Sequence, residues 1–264
     1  MLKKFFTKRK ILYILCSVAA LAAMWVCWVI AYFSVGNPLI VPSFREALNS
    51  FFRYLGDLAF WTAVGNSFAR TLLAFAISFV IAAACAALAM LGGAFKAALK
   101  PVMAIVRTLP TMAVILIIFK ITEGNRTLSP VIVTLLVLLP MIYAQFVAAF
   151  EGIDGGIREM ATVYGVKRRD RLFKIYLPLV APNVLSQTGA NVSLGLKVMI
   201  SAEVLVNTAR GLGGMMQENS ASAQVANLAA LTLAAVILGL VIEVAFSQFT
   251  RITRKWTVKE TGNV

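Results

Sequence analysis

The chain has 264 residues, of which 60% are hydrophobic and only 14% charged, with a mean hydropathy of +0.86. Soluble domains carry roughly 45–50% apolar and about 25% charged residues, so this composition excludes an ordinary water-soluble domain and requires lipid as solvent. The net charge of +14 comes from 25 Lys and Arg against 11 Asp and Glu, but no basic stripe with interleaved aromatics lies outside the apolar runs, which argues against a nucleic-acid partner.

Lys3, Lys4, Lys8, Arg9 and Lys10 form a basic arm over residues 1–10. Residues 11–35 follow as 25 positions without a charge. A signal-peptide apolar core is about 7–15 residues, whereas a helix needs about 20 to cross a bilayer. An uncleaved first transmembrane helix is expected. In the external segment 36–65, the stretch from Phe44 to Phe52 has helical apolar spacing after Pro42 and Ser43, which predicts an amphipathic helix at the outer interface.

Residues 66–250 form the predicted core. Uncharged stretches place its spans at 71–95, 101–120, 127–150, 182–206 and 225–249. The third holds Arg107 near its start, the fifth Lys197 and Glu203, the sixth Glu243. All are expected to be helices, because lipid offers no other partner for an open-ended backbone. Pro101 and Pro110 punctuate the third span, and Pro178 and Pro182 open the fifth. With the first, this makes six transmembrane helices in an all-α membrane protein, both termini on one side, and a tail at 251–264.

Loop charges orient the bundle. Lys96 and Lys100 follow the second span, Arg158, Lys167, Arg168, Arg169, Arg171 and Lys174 the fourth, and Arg251, Arg254, Lys255 and Lys259 the sixth. The opposite loops carry only Arg45, Arg53, Arg126 and Arg210, with Lys120 at the edge. The positive-inside bias makes the side bearing the termini cytoplasmic.

The connector 151–178 is unusually patterned. It reads Glu159-Met160-Ala161-Thr162-Val163-Tyr164-Gly165, then nine residues, then Ile175-Tyr176-Leu177-Pro178. This spacing predicts a short helix, a glycine stop, a second short helix, and a proline before the fifth span. Ala161 permits close approach of another surface, and Gly165 can adopt the positive φ of a sharp helix-to-helix turn. A connector with helical pattern and built-in stops reads as a docking element.

Glu159, Ala161, Gly165, Ile175, Leu177 and Pro178 at this spacing resemble the signature loop of permease subunits of bacterial binding-protein-dependent ABC importers. Met160 departs from it, standing where that family usually has a second alanine. Weaker likeness runs from Asn66 to Trp256. Asn66 to Thr71 resembles the start of the family's permease core and Arg107 to Ala113 its span-three entry, while Ala202-Glu203-Val204 followed by Gly211-Leu212-Gly213 resembles the end of span five in the branch handling nitrate, sulfonates, taurine and thiamine-pyrimidine precursors.

The resemblance implies a type I ABC importer permease fold and a multi-pass protein of the bacterial cell membrane. It also implies ATPase docking and coupling through Glu159, Met160, Ala161, Tyr164, Gly165, Val166, Ile175, Leu177 and Pro178. The implied partners are cytoplasmic ABC ATPase subunits, a second permease copy forming a homodimer, and an external solute-binding protein. ATP and its magnesium would be held by the ATPase, with no cofactor in this chain. The solute expected is small and anionic or heterocyclic; amino acids or osmolytes are the alternative.

Charges inside a membrane span are costly and mark pathways or pairs. Lys197 and Glu203, with Met112 and Asn191, are the candidate translocation-path residues. Lys197 and Glu203 are six positions apart, about 240° around a helix, so they do not pair within it. The alternative for Glu203 is a structural ion partner near the outer end of its span, and for Lys197 a snorkelling or packing lysine.

Catalysis has no foothold. The chain contains no histidine, which removes Ser–His hydrolysis and His-ligated zinc. Cys16, Cys27 and Cys85 sit in apolar runs with no CxxC pair, so no metal or redox site is expected. Gly211-Leu212-Gly213-Gly214 lacks the Gly-Lys-Ser/Thr of a nucleotide loop. An unpowered channel or secondary transporter is the competing class; it has no need of the Glu159–Pro178 pattern.

Overall fold

The computed structural model describes residues 2–37 and 40–261. The side chains of the basic arm and of Arg251, Arg254, Lys255 and Lys259 lie outside the described residues. All regular structure among the described residues is helical. In chain order the helices are α1 (Leu2–Val35), α2 (Phe44–Leu55), α3 (Leu58–Leu91), α4 (Gly93–Thr108), α5 (Thr111–Ile121), α6 (Leu128–Glu151) and α7 (Gly155–Val163). The short α8 (Arg168–Asp170) runs through a π-helical stretch (Arg171–Tyr176) into α9 (Leu177–Ser186). Then come α10 (Thr188–Val206), α11 (Leu212–Ala221) and α12 (Val225–Thr261).

Five helices are long and apolar enough to cross a membrane, and the total reaches six if α4 and α5 together form one span. The expected single helix over 101–120 is instead two helices bent by 97°. The break falls at Leu109-Pro110, both in extended backbone. Pro110 disfavours helical backbone at the residue before it and donates no hydrogen bond itself. Pro101 sits within α4 without ending it.

The second span also differs from expectation, starting at Leu58 rather than at 71. A charge-free criterion stops at Arg70, but this arginine pairs with Glu203 inside the bundle, so the helix runs straight past it.

The centre of the bundle is α3 against α6, with α10 packed between α6, α12, α3 and α11. The buried face of α3 is a stripe of small residues: Ala63, Ser67, Thr71, Ala74, Ser78, Ala82, Ala86 and Ala89. Steps of three and four keep them on one side of the helix. Small side chains let backbones approach, which is how helices gain packing where lipid supplies no hydrophobic drive. Ser78 Oγ donates across the contact to Leu135 O at 3.1 Å. On α10, a Cβ added at Gly195 would lie 3.1 Å from Leu138 Cδ1, so this glycine sets the closeness of α10 to α6.

α2 is amphipathic, as expected, and ends three residues beyond the stretch read from sequence. Ser43 and Glu46 form a reciprocal capping box at its start. Arg53 Nη2 donates to Asn227 Oδ1 (2.8 Å) and Tyr54 Oη to Asn219 Oδ1 (3.3 Å), which ties α2 onto α12 and α11. α1 stands apart: none of its apolar window Val18–Val35 is buried. Among the described residues it is linked to the rest by Trp28 Nε1 donating to Pro42 O at 3.0 Å and by edge contacts of Trp25 and Trp28 with Phe44.

Candidate functional site

The connector between α6 and α9 is folded rather than slack. Asp154 Oδ1 accepts from Gly156 N at 2.8 Å and caps α7. Arg158 Nη2 reaches back to the last carbonyls of α6, donating to Phe150 O (2.7 Å) and Glu151 O (2.8 Å). A cation on the negative end of a helix is favourable, so α7 is held against the end of α6.

α7 ends in a Schellman motif. Gly165 has φ +65°, its N–H bonds Thr162 O at 3.0 Å, and Val166 N bonds Ala161 O at 3.1 Å. Arg171 Nη2 fastens the same turn by donating to Ala161 O (3.2 Å) and Val166 O (3.3 Å). A Cβ added at Gly165 would meet nothing within 4 Å, so glycine is required here by φ and not by close approach. The π-helical turn then delivers the chain to Pro178, which lacks the N–H of an ordinary α-turn. The wider turn accommodates the missing bond.

The connector has two faces. Ala161 is fully buried, Leu172 and Tyr176 are buried, and half-buried Ile175 and Leu177 pack on the core of α3, α6 and α9. On the outward face Met160, Val163 and Tyr164 are 49%, 83% and 80% exposed. Glu159, Gly165 and Pro178 are exposed and Val166 is half-buried. The sequence reading missed Val163 as part of this outward group, and Arg158 and Arg171 as its organisers. The i, i+3 spacing of Met160 and Val163, on a side of the helix away from Ala161, was the available signal for the first.

The four candidate path residues divide two and two. Met112 is 61% exposed at the start of α5, and Lys197 is exposed on α10, beside Gly239 of α12. Asn191 is buried and exchanges two hydrogen bonds with Gln145 of α6, at 2.8 and 2.9 Å.

Glu203 is fully buried. Its carboxylate accepts from Arg70 Nη1 (2.7 Å), Ser67 Oγ (2.6 Å) and Gly213 N (3.1 Å). Ser67 Oγ in turn accepts from Leu212 N at 2.8 Å. Glu203 thus caps the start of α11 and bridges it to α3. Glu203 therefore has an interior ion partner in Arg70, as the alternative reading of this residue expects. A Cβ at Gly211 would sit 2.7 Å from Glu203 Oε2, so this glycine makes room for the carboxylate.

A folded, two-faced connector after α6, in a bundle of five or six apolar spans, fits one family in particular. The family described as "Binding-protein-dependent transport system inner membrane component" matches residues 78–258. The chain belongs to this family. This ABC importer permease is 22% identical over 206 residues to the taurine transport system permease protein TauC of Escherichia coli (strain K12), covering 76% of this chain and 74% of the relative.

Among solved structures, the permease is similar to a chain of an inward-facing MetNI methionine ABC transporter, with a TM-score of 0.65 at 17% identity, covering 74% of this chain and 95% of that one. It is similar to a chain of a bacterial ABC transporter importing the acidic polysaccharide alginate, with a TM-score of 0.62 at 15% identity, covering 88% and 95%. It is also similar to a chain of an amino acid ABC transporter with histidines, with a TM-score of 0.61 at 16% identity, covering 75% and 93%. The fold is that of a type I importer permease. The permease is a multi-pass membrane protein and a transport subunit rather than an enzyme.

Proposed function

We propose that this permease takes its energy from a separate cytoplasmic ATPase through the outward face of α7, and that its solute is a small anion or heterocycle of the nitrate, sulfonate or pyrimidine-precursor type. The observation that supports the coupling role is the apolar trio Met160, Val163 and Tyr164, exposed outside the membrane spans at the end of a helix that is fully buried at Ala161. Apolar surface held rigidly in water favours a protein partner.

On this reading two copies of the permease form the translocation unit, two ATPase subunits hold ATP and magnesium, and an external binding protein delivers solute. The termini lie in the cytoplasm. ATP-driven closure of the ATPase pair pushes α7 and the π-helical turn, which are anchored through Ile175, Leu177, Leu172 and Tyr176 to α3, α6 and α9. The bundle then alternates between outward and inward openings, as coupling between two sites through one two-state element requires.

Lys197, exposed on α10, favours an anionic solute, and the likeness to a taurine permease points the same way. Met112 is the second path candidate. The amino-acid reading rests on fold likeness alone.

The test is co-purification with its candidate ATPase, for the native chain and for Val163→Asp and Tyr164→Asp. Retention by the native chain and loss in both variants, with unchanged unfolding temperature, supports the reading. No ATPase bound by the native chain, or equal binding by the variants, returns the unpowered-channel reading. Uptake of taurine against an amino acid in proteoliposomes with the whole assembly then separates the solute classes.

A further inference from the structure

On the inward side of the connector, a cleft of about 430 Å³ is bounded by the turn between α3 and α4 and by the connector itself. Its lining includes Gly92, Gly93, Arg158, Arg168, Arg171 and Tyr176. The three arginines bring three positive charges to one cleft, and none of them is in an ion pair among the described residues. Arg158 and Arg171 spend Nη2 on backbone carbonyls, and Arg168 has only a long 3.4 Å bond to Leu91 O. The Nε groups of Arg158 and Arg171 are buried with no acceptor. The lining residue Gly93 begins α4, a 16-residue helix with no side-chain cap. Free amides at a helix start favour anions.

We infer that this cleft binds a phosphate group, from either an anionic phospholipid or free phosphate. Guanidinium forks match phosphate oxygens in pairs, and the start of α4 adds a second, independent preference for negative charge. The volume is in the range of small-ligand sites. A lipid phosphate has access because α3, a span, ends at Leu91 beside the cleft, and Met90, Leu91 and Leu172 give it an apolar flank. The site is separate from the docking face: Arg158 is three positions from buried Ala161, on the side of α7 away from Met160 and Val163. Bound phosphate bridges the α3–α4 turn to the connector and stiffens the coupling element from behind. The inference does not depend on the ATPase reading.

The test uses the purified full-length chain in neutral detergent. Thermal unfolding is followed with sodium phosphate against sodium chloride at matched ionic strength, and with short-chain phosphatidylglycerol against short-chain phosphatidylcholine. A saturable rise in unfolding temperature with either phosphate donor is expected. Arg168→Ala, which gives up only the long bond to Leu91, weakens the apparent affinity about tenfold. Arg169→Ala, exposed and outside the cleft, leaves it unchanged. A rise with free phosphate identifies a soluble ligand; a rise with phosphatidylglycerol alone identifies a lipid headgroup. No saturable rise with either donor, the same rise with chloride, or the same affinity in Arg168→Ala overturns the inference.

Discussion

Arg70 Nη1 lies 2.7 Å from Glu203 Oε1, joining α3 to α10 across 133 positions of sequence. The carboxylate is wholly enclosed and the arginine nearly so, at 15% side-chain exposure. Removing one partner of such a pair strands the other. Arg70→Met is expected to lower stability by about 3–5 kcal/mol. The double variant Arg70→Met, Glu203→Gln, which removes both charges, recovers most of that loss. Unfolding midpoints in detergent measure both. A single variant as stable as the native chain refutes the enclosed pair.

The Gln145–Asn191 exchange carries the same logic without charge. Asn191→Leu leaves the Gln145 amide facing an apolar side chain and costs about 1–3 kcal/mol. Gln145→Leu with Asn191→Leu costs less than the sum of the singles. A double-mutant cycle that closes additively means the two amides do not interact.

At Gly165 the strain and the space can be separated. Because an added Cβ meets nothing within 4 Å, substitution there acts through φ alone. Gly165→Asn, which tolerates the left-handed region, should retain the ATPase, while Gly165→Val, costing about 1–2 kcal/mol of backbone strain, should retain less. Co-purification yields ranked Gly, Asn and Val test this order, and equal yields refute it.

Ala82 of α3 is fully buried against its neighbours. Ala82→Leu overfills the contact and is expected to cost about 1–3 kcal/mol, or to prevent folding. Leu88→Ala, on the exposed side of the same helix, should leave the unfolding midpoint in place.

What sequence conveys here follows from which interactions are local. Apolar length, the capping pair Ser43–Glu46 and the stop at Gly165 are written in neighbouring residues, and the spans, α2 and the α7 turn were legible. The start of α3 was not, because Arg70 looks like a boundary until its partner 133 positions away is known. α11 was equally hidden: its start is capped by Glu203 and Ser67 from other helices, so no cap stands beside it. The phosphate cleft depends on arginines whose convergence with Gly93 is tertiary. Pro110 was visible, but the 97° turn it allows was not.

α1 and α3 each have 34 residues. None of the window Val18–Val35 is buried, whereas α3 presents a stripe of small residues to α6, α10 and α11. Lipid reads α1 for greasiness and disregards shape; protein reads α3 methyl by methyl. Exchanges among Leu, Ile, Val and Phe along 18–35 should therefore drift freely in related chains, while the row from Ala63 to Ala89 holds to small side chains. Two equally long apolar helices would then keep different evolutionary clocks.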